Sequence, residues 1–525
     1  MTVGIADPPA THAAYDIAPR ATSSRVLRRL PDEMRSAEFG RCFAGLMLLV
    51  FLLNAAPVPF GNELVYLLAP YKQWHPEFLQ NDWTYGTPRG EHFVFNWLVG
   101  LLMFVVSPEV VGWIGRLVTW ALLVAGLMRL GMRFGIPARA SALAVALWLL
   151  IDQSIVAVSS MIGTFEAQSV AYVFLVYALL RFLDERDTSG AILLGLCFAF
   201  HPAVGLVAGP PVGLALLALG RPWKRLLAIA GLTILFALPA FIPLLTMPGA
   251  GTSASRAEWS YLVRMRFPMH LDPFAWVRRD LLTLGIISAF SVLHWWQNRH
   301  SRAIRFLGWF QLGLGLFFAF GLLCRVMGWY ELLQITPFRV FATVAPLCFL
   351  FAIGQAYQER DHLRLRGLMT VIGVIAIMGL AHPIGYLWDR SVWRIREWTG
   401  RDDIAHAFVW LSGETPVDAV TILPPWRRDS FYLARRAQVA NFDQVRLDRI
   451  PEWRERIEAL VGPLSEDPAT FTYEALEARY GSLTPEQIDG IAARYAARYL
   501  VSKSAYSYPV LFESGDYRVY RIAGG

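Results

Sequence analysis

Lysine is almost missing from these 525 residues: Lys72, Lys224 and Lys503 are the only three, so the net charge of +7 is carried by arginine. Charge of either sign is scarce, at 17% of residues, while hydrophobic residues reach 55% and mean hydropathy is +0.41. That balance excludes a water-soluble globule. Cysteine occurs only at Cys42, Cys197, Cys324 and Cys348, each in or beside an apolar run and without metal-ligand spacing. The pattern argues for small buried side chains over a disulfide framework or a redox centre. No signal-peptide core and no cleavage site precede the first apolar run, and no internal repeat or low-complexity segment is visible.

What is present is a succession of long apolar runs, such as Leu46 to Ala56, Ser141 to Ile151 and Leu226 to Leu245, separated by short arginine-bearing turns. A helical span needs ~20 predominantly apolar residues, so the chain reads as a polytopic membrane protein whose partner is the bilayer. In a soluble protein its positive charge would suggest nucleic acid. Here the sign is explained by loop arginines that set topology, and no nucleic-acid partner is expected. The arginine-rich stretch 1–41 reads as a cytoplasmic tail and the run from about Cys42 to Pro59 as an uncleaved anchor. The loop after it, 60–108, then lies outside.

The run from His92 to Val106 decides the topology. It is shorter than a full span and ends at Ser107-Pro108, so a re-entrant or interfacial segment is expected. Under that reading, Arg129/Arg133/Arg139, Arg181/Arg186, Arg221/Lys224/Arg225, Arg299/Arg302/Arg305 and Arg360/Arg364/Arg366 all fall on the cytoplasmic side. Further spans are expected near 109–129, 138–157, 167–183, 189–202, 205–219, 226–246, 280–296, 306–324, 337–357 and 367–387. With the anchor they make about eleven. The transmembrane part is thus 42–387, in a mostly α helix bundle. From 388 to 525 the composition turns polar, and a small extracytoplasmic α/β domain is expected. Its strands lie near Asp418 to Leu423, Gln438 to Phe442, Tyr499 to Ser502 and Tyr517 to Ile522, with a hairpin turn at Ser514-Gly515-Asp516 and a capping box opening at Thr484.

Charges inside a bilayer are expensive, so each one invites a functional hypothesis against the plainer reading of snorkelling or pairing. Arg116 lies in the 109–129 span and Arg339 just inside the 337–357 span, and both are candidates for gripping a phosphate. Glu63 follows the anchor and is a candidate general base, with Asp82 as its rival and Glu166, in a second loop, as an assisting acid. His270 and Asp272 are candidate substrate-orienting residues, although Asp272 before Pro273 also suits a capping role. One carboxylate per loop does not make a hard-cation site, so no metal and no cofactor are expected.

An acidic residue soon after the first helix, an acid in the second outer loop and a soluble C-terminal domain together resemble the GT-C class of integral membrane glycosyltransferases. That class includes protein O-mannosyltransferases, lipid A aminoarabinose transferases and oligosaccharyltransferase catalytic subunits. Its members often carry Asp-Glu followed by Tyr after the first helix. The matching stretch here is Asn62-Glu63-Leu64-Val65-Tyr66, in which only Glu63 carries over as an acid. His75-Pro76-Glu77-Phe78-Leu79 with Asp82-Trp83, Phe200-His201-Pro202, His270-Leu271-Asp272-Pro273 and Pro337-Phe338-Arg339 look like a bacterial branch of the class. The resemblance implies a bacterial inner-membrane enzyme with its N-terminus cytoplasmic. It implies a polyprenyl-phosphate-linked sugar donor, an extracytoplasmic acceptor and an inverting single displacement. A transporter or flippase of a lipid-linked or anionic solute and a non-catalytic envelope scaffold are the alternative readings.

Overall fold

The computed structural model describes residues 37–86, 90, 92–246, 254–358, 402–464 and 472–522. The expected span 367–387, the boundary near 388, most of the N-terminal tail and the Arg360/Arg364/Arg366 turn lie outside the described residues. The chain is mostly helical. It enters through α1 (Ala37–Asn54), then forms the short helices α2 (Glu63–Tyr66) and α3 (Leu68–Trp74), followed by α4 (Phe93–Leu102). Then come α5 (Pro108–Arg133), α6 (Ala138–Leu150), α7 (Ala167–Leu183), α8 (Asp187–Phe200), α9 (Pro202–Ala218) and α10 (Trp223–Thr246). After a loop carrying α11 (Arg256–Tyr261) and α12 (Pro268–Leu271), the bundle resumes with α13 (Arg278–Gln297), α14 (Arg302–Met327) and α15 (Arg339–Gln358).

Among the described residues, five helices are long and apolar enough to cross a membrane: α1, α5, α10, α14 and α15. The shorter apolar helices α4 and α6 to α9 pack among them. Helix α4 has ten residues and rises only about 15 Å, half of a bilayer's hydrocarbon thickness. It lies on α3, with Gly100 so close to the Pro70 carbonyl that a Cβ would sit 2.3 Å from the oxygen. Its other face, including Trp97, Leu98, Leu101 and Leu102, is exposed and apolar. A helix that short does not span a bilayer by itself.

The expected helix 138–157 is cut short. Helix α6 ends at Leu150, and Asp152, Gln153, Ala157 and Val158 all adopt positive φ (59°, 64°, 62° and 32°). The buried Gln153 side chain replaces the helical hydrogen bonds. Its Oε1 accepts from the Met161 and Ile162 amides and its Nε2 donates to the Ile162 carbonyl. Apolar composition hid this loop, because Ile155, Val156 and Ala157 pack inward without being helical.

The arginine turns gather at one end. Asp187 at the start of α8 pairs with Arg221 and Arg225 of the next such turn, and Glu185 pairs with Arg302. At the other end, residues 402–464 and 472–522 carry a five-stranded sheet of order β2-β1-β3-β5-β4. Its strands are β1 (Val420–Ile422), β2 (Ala437–Gln438), β3 (Ala497–Ser502), β4 (Val510–Ser514) and β5 (Tyr517–Arg521). Strand β1 pairs parallel with β2 and β3, while β5 runs antiparallel between β3 and β4. Gly515 and Asp516 connect β4 to β5, and Thr484 opens its helix with a capping box to Gln487, as expected. The strand expected over Gln438 to Phe442 is only two residues long, because residues 439–442 turn away to fill a core.

That core joins the pieces. Trp83 of the first loop and Trp259, Tyr261, Leu262 and Met265 of the loop 254–277 pack in one cluster with Trp453, Ile457 and Tyr480 of the C-terminal part. The first loop, the later loop and the sheet therefore stand on the same end of the bundle.

Candidate functional site

Where that assembly meets the bundle lies a cavity of about 590 Å³, walled among others by Asn62, Glu166, Arg266, His270, Arg339 and Arg428. Its floor is the positive-φ loop, with Asp152, Val158 and Ser159 at the surface. Non-glycine residues in that conformation are uncommon, and several together mark a backbone held by its surroundings.

Arg339 opens α15. Phe338 before it is fully buried against Trp276 and Phe318. Gly321 of α14 meets that ring so closely that a Cβ would lie 2.6 Å from it. This packing fixes the helix start and leaves the arginine facing the cavity. Among the described residues the Arg339 guanidinium makes no ion pair, and its Nε is buried with no hydrogen-bond partner.

Glu166 is the N-cap residue of α7 and is 5% exposed. Its Oε2 accepts from Asn62 Nδ2 at 3.1 Å and its Oε1 from the Thr164 hydroxyl at 3.4 Å. Burial raises its pKa above the ordinary carboxylate range, and the nearby Arg339 charge opposes that shift. Asn62 stands where the resemblance places an acid, and its amide supports Glu166 where a second carboxylate would repel it.

His270 hydrogen-bonds through Nδ1 to the Ala157 carbonyl at 3.1 Å. A carbonyl only accepts, so Nδ1 carries the proton and Nε2 is the acceptor. Burial, and then the charge of Arg339, lower its pKa to about 4. The folded protein therefore resists protonating a histidine that the unfolded chain protonates near pH 6.5. Stability is fully present above that pH and falls as pH drops from about 6.5 towards 4, by ~1.4 kcal/mol per pKa unit at most. Replacing His270 by Gln flattens this acid limb of a Tm-against-pH curve. An unchanged limb in His270→Gln would rule out His270 as its source.

The remaining cations are shared. Asp443 takes Arg266 on Oδ1 and Arg428 on Oδ2, each at 2.5 Å, so two arginines on the wall meet one carboxylate. Arg266 ends a π-helical stretch, Leu262–Arg266, of the kind frequent at functional sites. Arg428 and the loop 151–158 were not singled out in the sequence. Arg428 follows Pro424-Pro425-Trp426-Arg427, a turn-rich stretch with no periodic signal.

Four expected site residues lie elsewhere. Glu63 and Arg116 are both completely buried and pair with each other, Nε to Oε1 at 2.6 Å and Nη2 to Oε2 at 2.5 Å. The Phe60 and Phe165 amides also donate to Glu63, while Arg116 Nη1 donates to the Ala56 carbonyl. The pair ties the first loop to α5 and to the segment before α7. Asp82 accepts from the Thr84 and Tyr85 amides and, across to β2, from the Gln438 amide at 3.0 Å. Asp272 caps Phe274 and holds Arg325 through both carboxylate oxygens. Each is saturated by protein partners and none lines the cavity.

No protein-family model and no curated protein matches the chain. Solved structures do. The Archaeoglobus fulgidus oligosaccharyltransferase, tethered through a disulfide bond to an acceptor peptide containing the NVT sequon, matches with a TM-score of 0.51 and 11% identity. The match covers 90% of this chain and 70% of that one. The same enzyme in complex with Zn and sulfate matches with a TM-score of 0.50 and 12% identity, over 88% of this chain and 67% of that one. At such identities the likeness is one of fold: along nine-tenths of its length this chain shares the architecture of the archaeal oligosaccharyltransferase.

Proposed function

We propose that the protein is a membrane glycosyltransferase that moves a sugar from a polyprenyl-phosphate donor to an acceptor at the extracytoplasmic face of a bacterial inner membrane. The observation that carries this reading is a guanidinium, Arg339, without an ion pair among the described residues, and a buried carboxylate, Glu166, on the wall of one cavity. The fold supports it, and so does the collection of arginine turns at the opposite, cytoplasmic end. In this reading the transmembrane part ends near 387 and the C-terminal segment closes the cavity from outside.

An acceptor hydroxyl attacks the anomeric carbon as the bond to the phosphate oxygen breaks. The electron pair leaves with the polyprenyl phosphate, whose charge the Arg339 fork neutralises. The acceptor's proton passes to Glu166, whose raised pKa suits a general base. His270 Nε2 accepts a sugar or acceptor hydroxyl, while Glu63, Arg116, Asp82 and Asp272 hold the frame. The reading calls on no divalent cation of the kind that the archaeal complex with zinc contains. No group of three or more His, Cys, Asp and Glu converges among the described residues, and Glu166 is flanked by an amide. No step is routed through one.

The test is reconstitution in nanodiscs with radiolabelled polyprenyl-phosphate sugars and membrane extract as acceptor source. Release of polyprenyl phosphate is expected for at least one sugar, falling as pH drops through the Glu166 pKa. Glu166→Gln is expected to lose about 10²–10⁴-fold in rate and to lose that acid limb. Intact donors throughout, with correctly folded protein, reject the reading.

A further inference from the structure

At the far end of the bundle, α5 and α7 close a second pocket of about 240 Å³, lined by Arg129, Arg133, Tyr177, Arg181 and Asp184. Glu166 and Arg181 stand at the two ends of α7, which places this pocket ~20 Å from the cavity described above. It is smaller than the roughly 300–1,000 Å³ of cavities that swallow whole small molecules, and so suits a headgroup-sized piece.

Three guanidiniums meet one carboxylate there. Arg133 takes it, with Nη2 2.8 Å from Asp184 Oδ1. Among the described residues neither Arg129 nor Arg181 forms an ion pair. The Nε of Arg129 is buried and has no hydrogen-bond partner, while the Tyr177 hydroxyl accepts from the Arg129 guanidinium and feels the charge of Arg181. The plain reading is that arginines at helix ends snorkel to water and complement the helix dipole. Snorkelling solvates a guanidinium, however, and does not bury its Nε unpaired. A buried donor left unmade is costly, and among the described residues no acceptor meets it, so the pocket is open to an added anion. Two planar forks and a phenol around a small pocket match tetrahedral phosphate oxygens.

We infer that this pocket binds a phosphate ester, with Arg129, Arg181 and Tyr177 as donors and with Arg133 held back by Asp184. Its place at the helix ends makes an anionic lipid headgroup of the adjoining leaflet one source and a free phosphate the other. The inference uses no residue of the glycosyl-transfer reading and stands or falls apart from it.

The parent and the Arg129→Gln/Arg181→Gln double variant are reconstituted in phosphatidylcholine nanodiscs with and without phosphatidylglycerol. A third set of phosphatidylcholine discs is titrated with inorganic phosphate. The parent is expected to retain phosphatidylglycerol in native mass spectra and to gain thermal stability from it. The double variant is expected to retain at least about tenfold less, at unchanged stability in phosphatidylcholine alone. A response to inorganic phosphate that the variant loses assigns the site to the free anion, and its absence beside a lipid response assigns it to the headgroup. Equal behaviour of parent and variant towards both, or no response of the parent to either, overturns the inference. If the double variant does not fold, Arg181→Gln alone is read in the same way, since it removes no ion-pair partner.

Discussion

Arg339→Gln is expected to lower sugar transfer by about 10²–10³-fold, the loss seen when one preorganised donor to a developing negative charge is removed. The reasoning begins with what Arg339 lacks. Every other cation on the cavity wall shares Asp443, whereas Arg339 makes no ion pair among the described residues. Its removal therefore strands no structural acid. Arg339 holds down the pKa of Glu166, so the variant shifts the acid limb of the rate profile to higher pH. Folding is expected to survive, because Phe338 and the glycine beneath it fix the start of α15. Arg339→Lys restores the charge without the fork and should recover only part of the rate. Turnover by Arg339→Gln at the parent's rate, with the donor bound equally well, would remove Arg339 from the leaving-group site.

The helical layout was legible because it rests on composition: over most of the described residues, apolar runs broken by arginines become helices and turns. Arg339 was legible for a related reason, since a lone cation inside an apolar run is costly enough to demand a purpose. The same rule pointed to Arg116 and there met the opposite outcome. What separates the two is a partner 53 residues away, Glu63, and no local pattern carries that pairing. Gln153 shows the complementary failure. Its side chain satisfies three backbone groups and lets an apolar stretch leave the helix, so hydropathy extended α6 into what is the cavity floor. Asp82 and Asp272 were visible as polar residues in aromatic loops, but their contacts, with β2 and with Arg325, belong to tertiary structure.

The Glu63–Arg116 pair is expected to behave as architecture. Glu63→Gln leaves a guanidinium uncompensated in a dry site, which costs about 3–5 kcal/mol, a large share of any membrane protein's margin. Arg116→Gln strands the carboxylate and should cost a similar amount. In the double variant Glu63→Gln/Arg116→Gln two neutral amides meet, able to keep bonds to the Phe165 amide and the Ala56 carbonyl that the native pair makes. Its loss should therefore fall short of the sum of the single losses by about 0.5–3 kcal/mol, the coupling expected of groups in contact. Thermal unfolding in nanodiscs measures all three, and transfer assayed per folded molecule separates stability from chemistry. A structural pair predicts near-parental turnover in whatever fraction of the double variant folds, because neither side chain reaches the cavity. If Glu63→Gln instead unfolds at the parent's temperature and has lost transfer, Glu63 is the base and Glu166 its support. Burial and pairing favour the first outcome: a carboxylate that already accepts from Nε, Nη2 and two amides has no lone pair directed at a substrate.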